Sequence, residues 1–221
     1  GVVVGWYNED VGWLQPLADE LRLNVSLYNK GPALQGIGAS WHIERLQNVG
    51  RECSSYLHHI VRRYLCLAEF TVFLQGNPFL QCFDLSPALR QLLPGGRHTT
   101  LGYTSVCPSD GVGQALGRLS SKDGRPDWQM RSREKSETGR ITDKLWDDTL
   151  RRTGFTGLRD VSWTAFAGAQ FVVNRRAVHR RPVEFYAHLL RQLVHNETGV
   201  LTTSGHEACH VFERLWPLIF L

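Results

Sequence analysis

Residues 69–79 read Glu-Phe-Thr-Val-Phe-Leu-Gln-Gly-Asn-Pro-Phe, and this stretch decides the fold. Residues 70–74 form an unbroken apolar or β-branched run, as expected of a strand that is covered on both faces. Gly76 and Pro78 end the strand, because proline cannot donate to a ladder and glycine permits an unusual backbone path. Open α/β sheets bind ligands where central strands end in polar loops. We therefore expect Gln75 and Gly76 to contact a ligand.

The segments around this strand alternate between strand and helix patterns. A strand over residues 2–6, a helix over 10–21 capped by Asp10, and a strand over 23–28 predict a βαβ unit with parallel pairing. Further helices are predicted over 51–64, 86–93, 143–152, 175–195 with an interruption at Pro182, and 204–215. This order predicts one α/β domain over residues 1–221, a three-layer Rossmann-like fold with a mostly parallel central sheet. Residues 120–140 are polar and charged, which predicts an exposed loop or insertion.

Composition sets the broad class of the protein. A chain of 221 residues with 42% hydrophobic and 21% charged residues can bury a full core in one domain. No apolar run approaches the length of about 18 residues that predicts a membrane span, so we expect no transmembrane segment. The net charge is +4, but no clustered basic face with interleaved aromatics is evident, so we expect no nucleic-acid partner. Both ends lie inside apolar runs and resemble cuts in a longer protein, which leaves a secretory or a cytoplasmic location open.

Cysteines and glycosylation patterns add two further observations. The five cysteines lack metal-binding spacing, and their odd number argues against a full disulfide framework while leaving one bridge open. Asn24-Val25-Ser26 and Asn196-Glu197-Thr198 match the acceptor pattern for N-glycosylation. The first of these matches is predicted to lie in a strand.

Polar residues follow three of the predicted strands and precede one helix. In a parallel sheet these positions meet at the carboxyl edge, where helix amides and cationic side chains can bind a diphosphate. The candidate binding residues are Tyr7, Asn8, Glu9, Lys30, Asn48, Gly50, Arg51, Gln75 and Gly76. The alternative interpretation is that the Asn and Gly residues only form turns and that Arg51 pairs with Glu52 or Glu9.

Motifs of several enzyme classes are missing from the sequence. There is no G-x-G-x-x-G, G-x-x-x-x-G-K or G-x-S-x-G, which weighs against a classical dinucleotide enzyme, a P-loop NTPase and an α/β-hydrolase. His206-Glu207-Ala208-Cys209-His210 matches the zinc pattern H-E-x-x-H, although no third ligand is apparent after it. A zinc-dependent hydrolase is therefore kept as an alternative.

The ordered set of motifs resembles the uncharacterised family called domain of unknown function 3431 over nearly the whole chain. The segments that carry the resemblance are Val2-Val3-Val4 with Tyr7-Asn8-Glu9-Asp10 and Trp13-Leu14, Tyr28-Asn29-Lys30-Gly31, Asn48-Val49-Gly50-Arg51-Glu52 with Tyr56-Leu57-His58-His59-Ile60, Val72-Phe73-Leu74-Gln75-Gly76-Asn77-Pro78, Gly168-Ala169-Gln170-Phe171, Arg181-Pro182 with Phe185-Tyr186, and Glu213-Arg214-Leu215-Trp216. This family name implies no reaction.

A looser resemblance, to GT-A glycosyltransferases, does imply one. The opening strand with Tyr-Asn-Glu is similar to the start of those enzymes, and Asn-x-Gly-Arg-Glu resembles the N-x-G-R-D stretch of some polysaccharide-building transferases. The resemblance implies that Tyr7, Asn8 and Glu9 contact the nucleoside. It places Lys30, Arg51 and the Gly50 amide at the diphosphate. Glu213, or Glu207, would deprotonate the acceptor hydroxyl.

The sequence departs from metal-dependent GT-A enzymes at the end of the central strand. Those enzymes place Asp-x-Asp there, whereas this chain reads Gln75-Gly76-Asn77 and contains no Asp-x-Asp. We therefore expect no metal site and no cofactor, with cationic side chains replacing the metal at the leaving diphosphate. The expected function is transfer of a sugar from a nucleotide-sugar donor to a glycan or protein acceptor. The alternative is a non-catalytic glycan- or nucleotide-binding module with the same fold.

Overall fold

The computed structural model describes residues 1–34, 36, 40–93, 102–107, 115–119, 126–129, 162–165, 168–195 and 206–220. At residues 115–119, 126–129, 165 and 206–208 the backbone alone is described. The helix predicted over 143–152 lies outside the described residues.

Strands and helices alternate along the first half of the chain, as the sequence predicts, except that the strand His42–Arg45, which the sequence did not predict, is the next described element after the strand Val25–Asn29. The strands are β1 (Val2–Trp6), β2 (Val25–Asn29), β3 (His42–Arg45), β4 (Phe70–Gln75), β5 (Tyr103–Ser105), β6 (Ala115–Leu119), β7 (Pro126–Gln129), β8 (Ser162–Ala165) and β9 (Phe171–Asn174). The helices are α1 (Leu14–Glu20), α2 (Arg51–Arg63), α3 (Leu85–Leu92), α4 (Arg175–Val178), α5 (Val183–His195) and α6 (His206–Ile219). Short 3₁₀ turns follow α2 at Tyr64–Cys66 and β4 at Pro78–Leu80.

The main sheet has six strands in the order β3-β2-β1-β4-β9-β5. Strands β1 to β4 are parallel to one another, whereas β9 runs antiparallel to both β4 and β5. A smaller antiparallel sheet has the order β7-β6-β8. The prediction of an α/β fold with a mostly parallel central sheet is therefore confirmed.

Hydrophobic cores cover both faces of the main sheet. Val3 and Phe73 face the core that includes residues of α2, α5 and α6. Val2, Val4 and Leu74 face the core that includes residues of α1 and α3. Because successive residues of a strand point to opposite faces, the buried run of β4 supplies both cores at once.

The neighbouring strands β1 and β4 form a topological switch point. From β1 the chain passes through α1, on one face of the sheet, to β2, which is one neighbour of β1. From β3 the chain returns through α2, on the opposite face, to β4, which is the other neighbour of β1. The helices that follow β1 and precede β4 therefore diverge. Open α/β sheets bind ligands above the carboxyl ends of the strands at such a switch point.

Several boundaries differ from the sequence predictions. Asp10 does not cap α1, because its carboxylate accepts the Gly12 N–H at 2.8 Å in a turn that precedes the helix. The last helix runs through Trp216 and Pro217 to Ile219 instead of ending at Leu215. Within residues 120–140, where a loop was predicted, 126–129 form β7, and the rest of that segment lies outside the described residues.

Two disulfides connect distant parts of the chain. Cys53 in α2 is bonded to Cys209 in α6, and Cys82 is bonded to Cys107. The odd cysteine is Cys66, which is exposed. The structure therefore has two disulfides and one free thiol, whereas the sequence analysis left open only a single disulfide. In the described part of the chain, no helix has the length and apolar character that crossing a membrane requires.

Candidate functional site

The site is built where the start of α2 lies over the end of β1. A Cβ atom at Gly5 would come within 2.9 Å of Glu52 Cα and Cβ, so glycine in β1 lets the first turn of α2 approach the sheet. The Glu52 carboxylate accepts a 3.0 Å hydrogen bond from Gln75 Nε2 at the end of β4. Gln75 Oε1 in turn accepts from Gln170 Nε2 at 3.4 Å. Three separate segments therefore meet in one chain of hydrogen bonds at the switch point.

Glu52 is a buried acid. It is 8% exposed, and this burial raises the pKa of its carboxyl group, with the charge of Glu213 acting in the same direction. The guanidinium of Arg51 opposes the shift, with its Nε 3.7 Å from Glu52 Oε2. Acids whose pKa is raised by burial at the end of a sheet are common at functional sites.

The Cys53–Cys209 disulfide brings α6 to the same place. Cys209 Sγ lies 3.3 Å from Glu52 Oε1, and Glu213 lies one helical turn further along α6. Glu213 Oε2 accepts the Gly168 N–H at 3.3 Å. A positive φ of 83° at Gly168 explains why glycine suits this position.

Glu213 also contacts a histidine on its own helix. His210 Nδ1 lies 3.4 Å from Glu213 Oε1, three residues apart. The hydrogen bond that His210 donates to Glu213 raises the pKa of His210, while partial burial acts against this shift. The pair therefore places the Glu213 carboxyl group beside an imidazole that gains a proton more readily than usual.

The structure gives Lys30 a different role from the predicted one. Its ammonium donates to the carbonyl of Val49 at 2.6 Å, to the carbonyl of Arg51 and to Ser54 Oγ. Burial lowers the pKa of Lys30 to about 8. All three donor positions of the ammonium are directed into the protein. Lys30 therefore holds the loop before α2, and we no longer assign it to the diphosphate.

The loop after β1 is folded around Glu9. Glu9 Oε2 accepts the backbone N–H groups of Tyr7 at 2.8 Å and Asn8 at 3.1 Å, and its carbonyl accepts Trp6 Nε1. A Cβ atom at Gly76 would lie 2.6 Å from the same carboxylate oxygen, so the loops after β1 and β4 are in contact. The Tyr7 side chain is 47% exposed at this edge.

The segment before α2 has an unusual backbone. Gly50 and Arg51 have φ values of 65° and 45°, and a left-handed conformation at Arg51 costs about 1–2 kcal/mol. This backbone turns the Arg51 side chain, 39% of which is exposed, toward the same rim as Glu52. Backbone strain of this kind concentrates at functional sites. Asn48 is exposed on the loop ahead of the turn.

The described residues offer one group of neighbouring metal-ligand atoms, from Glu52, Cys53 and Cys209. Both sulfurs are bonded to each other, so they are not available as thiolate ligands. The H-E-x-x-H pattern lies at the start of α6, where the side chains of His206 and Glu207 are outside the described residues. The predicted role of Glu207 therefore stays a prediction, and His210 is directed to Glu213.

The structure thus brings together some predicted residues and adds others. Arg51, Gln75 and Glu213 share one cluster, and Glu9 contacts the strand end beside it. Sequence reasoning missed Glu52 and Gln170 as site residues, although both stand inside the quoted motifs. The available signal for Glu52 was an acidic residue directly after Arg51 in the first turn of a predicted helix. Because Gly5 has no side chain, this turn can approach the sheet closely.

The fold and the site define a class: an α/β protein with a buried acidic cluster at the carboxyl edge of a parallel sheet. The chain belongs to the family described as protein of unknown function (DUF3431), whose profile matches residues 2–221. No curated protein matches the chain.

Proposed function

We propose that this domain is a GT-A-like glycosyltransferase that takes a sugar from a nucleotide-sugar donor without an Asp-x-Asp-bound metal. One observation carries the proposal: Glu52, Gln75, Gln170 and Glu213 gather above the switch point between β1 and β4. Nucleotides in open α/β sheets bind at this position. The order of the parallel strands supports a donor site there, and the acid cluster supplies the chemistry that transfer needs.

Donor binding uses the exposed groups around the cluster. Tyr7 offers an exposed aromatic ring on which a nucleobase can stack, and such stacking contributes about 1–3 kcal/mol per base. Arg51 offers a planar guanidinium that suits a diphosphate, at the N-terminus of a helix whose dipole also favours anions. With Lys30 directed inward, Arg51 is the cation on which diphosphate recognition rests in this proposal.

Electrostatics distinguish the two acids. Burial raises the pKa of Glu52, which favours its neutral form and reduces the negative charge that a diphosphate would meet. Glu213 instead accepts the Gly168 N–H and lies beside His210, a side chain of the type that exchanges protons near neutral pH. We therefore assign Glu213 as the base and Glu52 as a positioning residue that holds Gln75 and Arg51.

The reaction is an exchange of one bond for another at the sugar C1. The acceptor hydroxyl oxygen forms a bond to C1, the bond from C1 to the diphosphate oxygen breaks, and the nucleoside diphosphate leaves with the electron pair. The acceptor proton passes to Glu213 Oε1 or Oε2. Positive groups at the leaving oxygen stabilise the charge that develops there, which is the role proposed for Arg51.

Calorimetry with uridine, guanosine and adenosine diphosphates tests donor binding directly. We expect one of them to bind, and Arg51→Ala to weaken binding about 10-fold to 100-fold, because a hydrogen bond to a charged group contributes about 1.5–3 kcal/mol. Arg62→Ala is the matched control, since Arg62 is an exposed arginine near the other end of α2. If none of the three binds to the wild-type domain, the proposal fails.

A second measurement separates transfer from binding alone. Hydrolysis or transfer from the matching nucleotide sugar should fall by about 10²-fold or more in Glu213→Gln, because removal of a general base costs that much. The Glu213→Gln variant should still bind the nucleoside diphosphate as the wild type does. The alternative of a non-catalytic binding module is favoured by one observation, that Lys30 and Gln75 are bonded inside the protein. Binding without turnover in the wild type would support that alternative.

A further inference from the structure

We propose that Asn24 carries an N-linked glycan, attached at the amino edge of the main sheet and away from the site on the carboxyl edge. The acceptor pattern Asn24-Val25-Ser26 stands at the start of β2. The proposal is independent of the transferase activity, because it rests on a different edge of the molecule and on the disulfides.

Asn24 is accessible, and its side chain makes no hydrogen bond within the part of the chain that the structure describes. Asn24 is exposed, whereas Val25 is 3% exposed and buried in the core. The backbone carbonyl of Asn24 accepts the Val2 N–H at 2.9 Å and so secures the sheet. A glycan on Nδ2 therefore leaves this backbone hydrogen bond and the core unchanged.

Disulfides give a second and independent reason. Four of the five cysteines form two disulfide bridges, and the Cys53–Cys209 bridge joins residues that are 156 positions apart. Disulfides form and persist in oxidising compartments such as the endoplasmic reticulum and the cell exterior. N-glycosylation of Asn-x-Ser takes place in the same pathway. A chain that acquires both bridges in the endoplasmic reticulum is also exposed to the enzyme that modifies Asn24.

The location of the glycan is compatible with a working site. β2 separates Asn24 from Lys30, and a strand rises about 3.3 Å per residue, so the two positions are about 20 Å apart. The parallel strands β1 and β4 end at the same edge as β2. A glycan at the opposite edge would therefore leave the carboxyl ends of β1 and β4 uncovered.

The modification is a group transfer with a defined co-reactant. Asn24 Nδ2 forms a C–N bond to C1 of the first sugar of a polyprenyl-diphosphate oligosaccharide, and the C–O bond to the diphosphate breaks. The polyprenyl diphosphate leaves with the electron pair, and the displaced amide proton passes to the oligosaccharide transferase. The bridges form when a thiol oxidase of that compartment accepts two electrons from each pair of cysteines.

Peptide mapping of the full chain from its natural source tests the proposal. Trypsin cleaves after Arg22 and Lys30, so residues 23–30 carry the complete acceptor pattern in one short peptide. Treatment with peptide N-glycosidase in heavy-oxygen water should convert Asn24 to labelled aspartate. We expect little unmodified 23–30 peptide in the untreated digest. Finding mainly unmodified Asn24 would overturn the proposal, whether the cysteines are bridged or reduced.

Variants secreted from a eukaryotic host provide the matched comparison. Asn24→Gln and Ser26→Ala should each lose one glycan, seen as faster migration on a gel, whereas Ser26→Thr should keep it because threonine preserves the pattern. If Asn24→Gln is not secreted, the two Ser26 variants decide. Equal migration of Ser26→Ala and Ser26→Thr would overturn the proposal.

Discussion

Tyr56 and Tyr28 both bury a phenol in the same core, but only one of the two hydroxyl groups has a partner among the described residues. Tyr28 Oη lies 2.9 Å from His59 Nδ1, whereas Tyr56 Oη has no hydrogen-bond partner in that part of the chain. Burial raises the pKa of Tyr56 well above its usual value, and the charges of Glu52 and Glu213 add to this effect. Tyr56 is therefore a neutral, unsatisfied hydroxyl beneath the acid cluster.

This difference predicts opposite effects of one chemical change. Tyr56→Phe should raise the free energy of unfolding by about 1 kcal/mol, because it removes a buried polar group that lacks a partner. Tyr28→Phe should lower it by about 1 kcal/mol, because it breaks a buried hydrogen bond. Urea denaturation measures both. Similar destabilisation by the two substitutions would contradict the prediction.

Glu52 predicts a specific dependence of stability on pH. Its pKa is raised in the folded protein, chiefly by burial, so the unfolded chain ionises first as the pH rises above about 4.3. The contribution of Glu52 to stability is therefore complete below that pH and is lost as the pH rises through the folded pKa. Glu52→Gln is neutral in both states and should be more stable than the wild type at pH 7.

Denaturant titrations between pH 4 and pH 8 check this prediction. The advantage of Glu52→Gln should shrink towards pH 4, because Glu52 of the wild type becomes protonated in the unfolded chain as well as in the folded protein. Glu69→Gln is the control, because Glu69 is exposed and should show little difference at any pH. A Glu52→Gln protein that is less stable than the wild type at pH 7 would show that the ionised carboxylate stabilises the fold.

At the scale of elements, the two disulfides differ in how much chain they enclose. Cys53–Cys209 joins α2 to α6 across 156 positions, and Cys82–Cys107 spans 25. The chain-entropy model gives about 5 kcal/mol for the longer loop and about 3.5 kcal/mol for the shorter one. The double substitution Cys53→Ala/Cys209→Ala should therefore destabilise the protein more than Cys82→Ala/Cys107→Ala.

Activity distinguishes the same two variants at the site. Loss of the bridge between α2 and α6 releases the link that holds Glu52 near Glu213, so turnover should fall even at a temperature where the variant stays folded. Cys82→Ala/Cys107→Ala serves as the control, since neither cysteine contacts the acid cluster in the described residues. Calorimetric unfolding and a donor-hydrolysis assay provide the two readouts.

Element types were predictable because they depend on local patterns, whereas the direction of β9 was not. The apolar run at residues 70–74 and the spacing of the helices identified β4, α2 and α5 within a few residues. A short strand such as Phe171–Asn174 has the same alternation in either direction, so its antiparallel pairing depends on the path of the chain before it. Pro182 correctly marked a break, which separates α4 from α5.

For the whole molecule, ligand binding at the switch point predicts a measurable shift in melting temperature. A nucleoside diphosphate present at about 100 times its Kd should stabilise the folded state by about 2.7 kcal/mol. A domain of this size gains about 2–4 °C per kcal/mol, so the midpoint should rise by about 5–11 °C. The Arg51→Ala protein should show a smaller shift at the same concentration. An unchanged midpoint for the wild type would contradict the proposed donor site.

The sequence predicted the location of the candidate site, at the carboxyl edge of the sheet, but not the contacts of its side chains. Parallel pairing placed the ends of β1, β2 and β4 together, so Tyr7, Glu9, Arg51 and Gln75 could be expected there from sequence. The inward direction of Lys30 depends on three acceptors, one in the loop before α2 and two in the first turn of α2, which no local pattern encodes. The disulfide partners likewise follow from tertiary contacts, because five cysteines permit many different pairings.

Cys66 gives this architecture a practical consequence for spectroscopy. With the other four cysteines bonded in pairs, a maleimide dye added without reductant should label the chain at one position. That position follows α2, about 22 Å from Arg51 at 1.5 Å per helical residue. Energy transfer between this dye and a fluorescent nucleotide at the proposed donor site would then measure binding in single molecules.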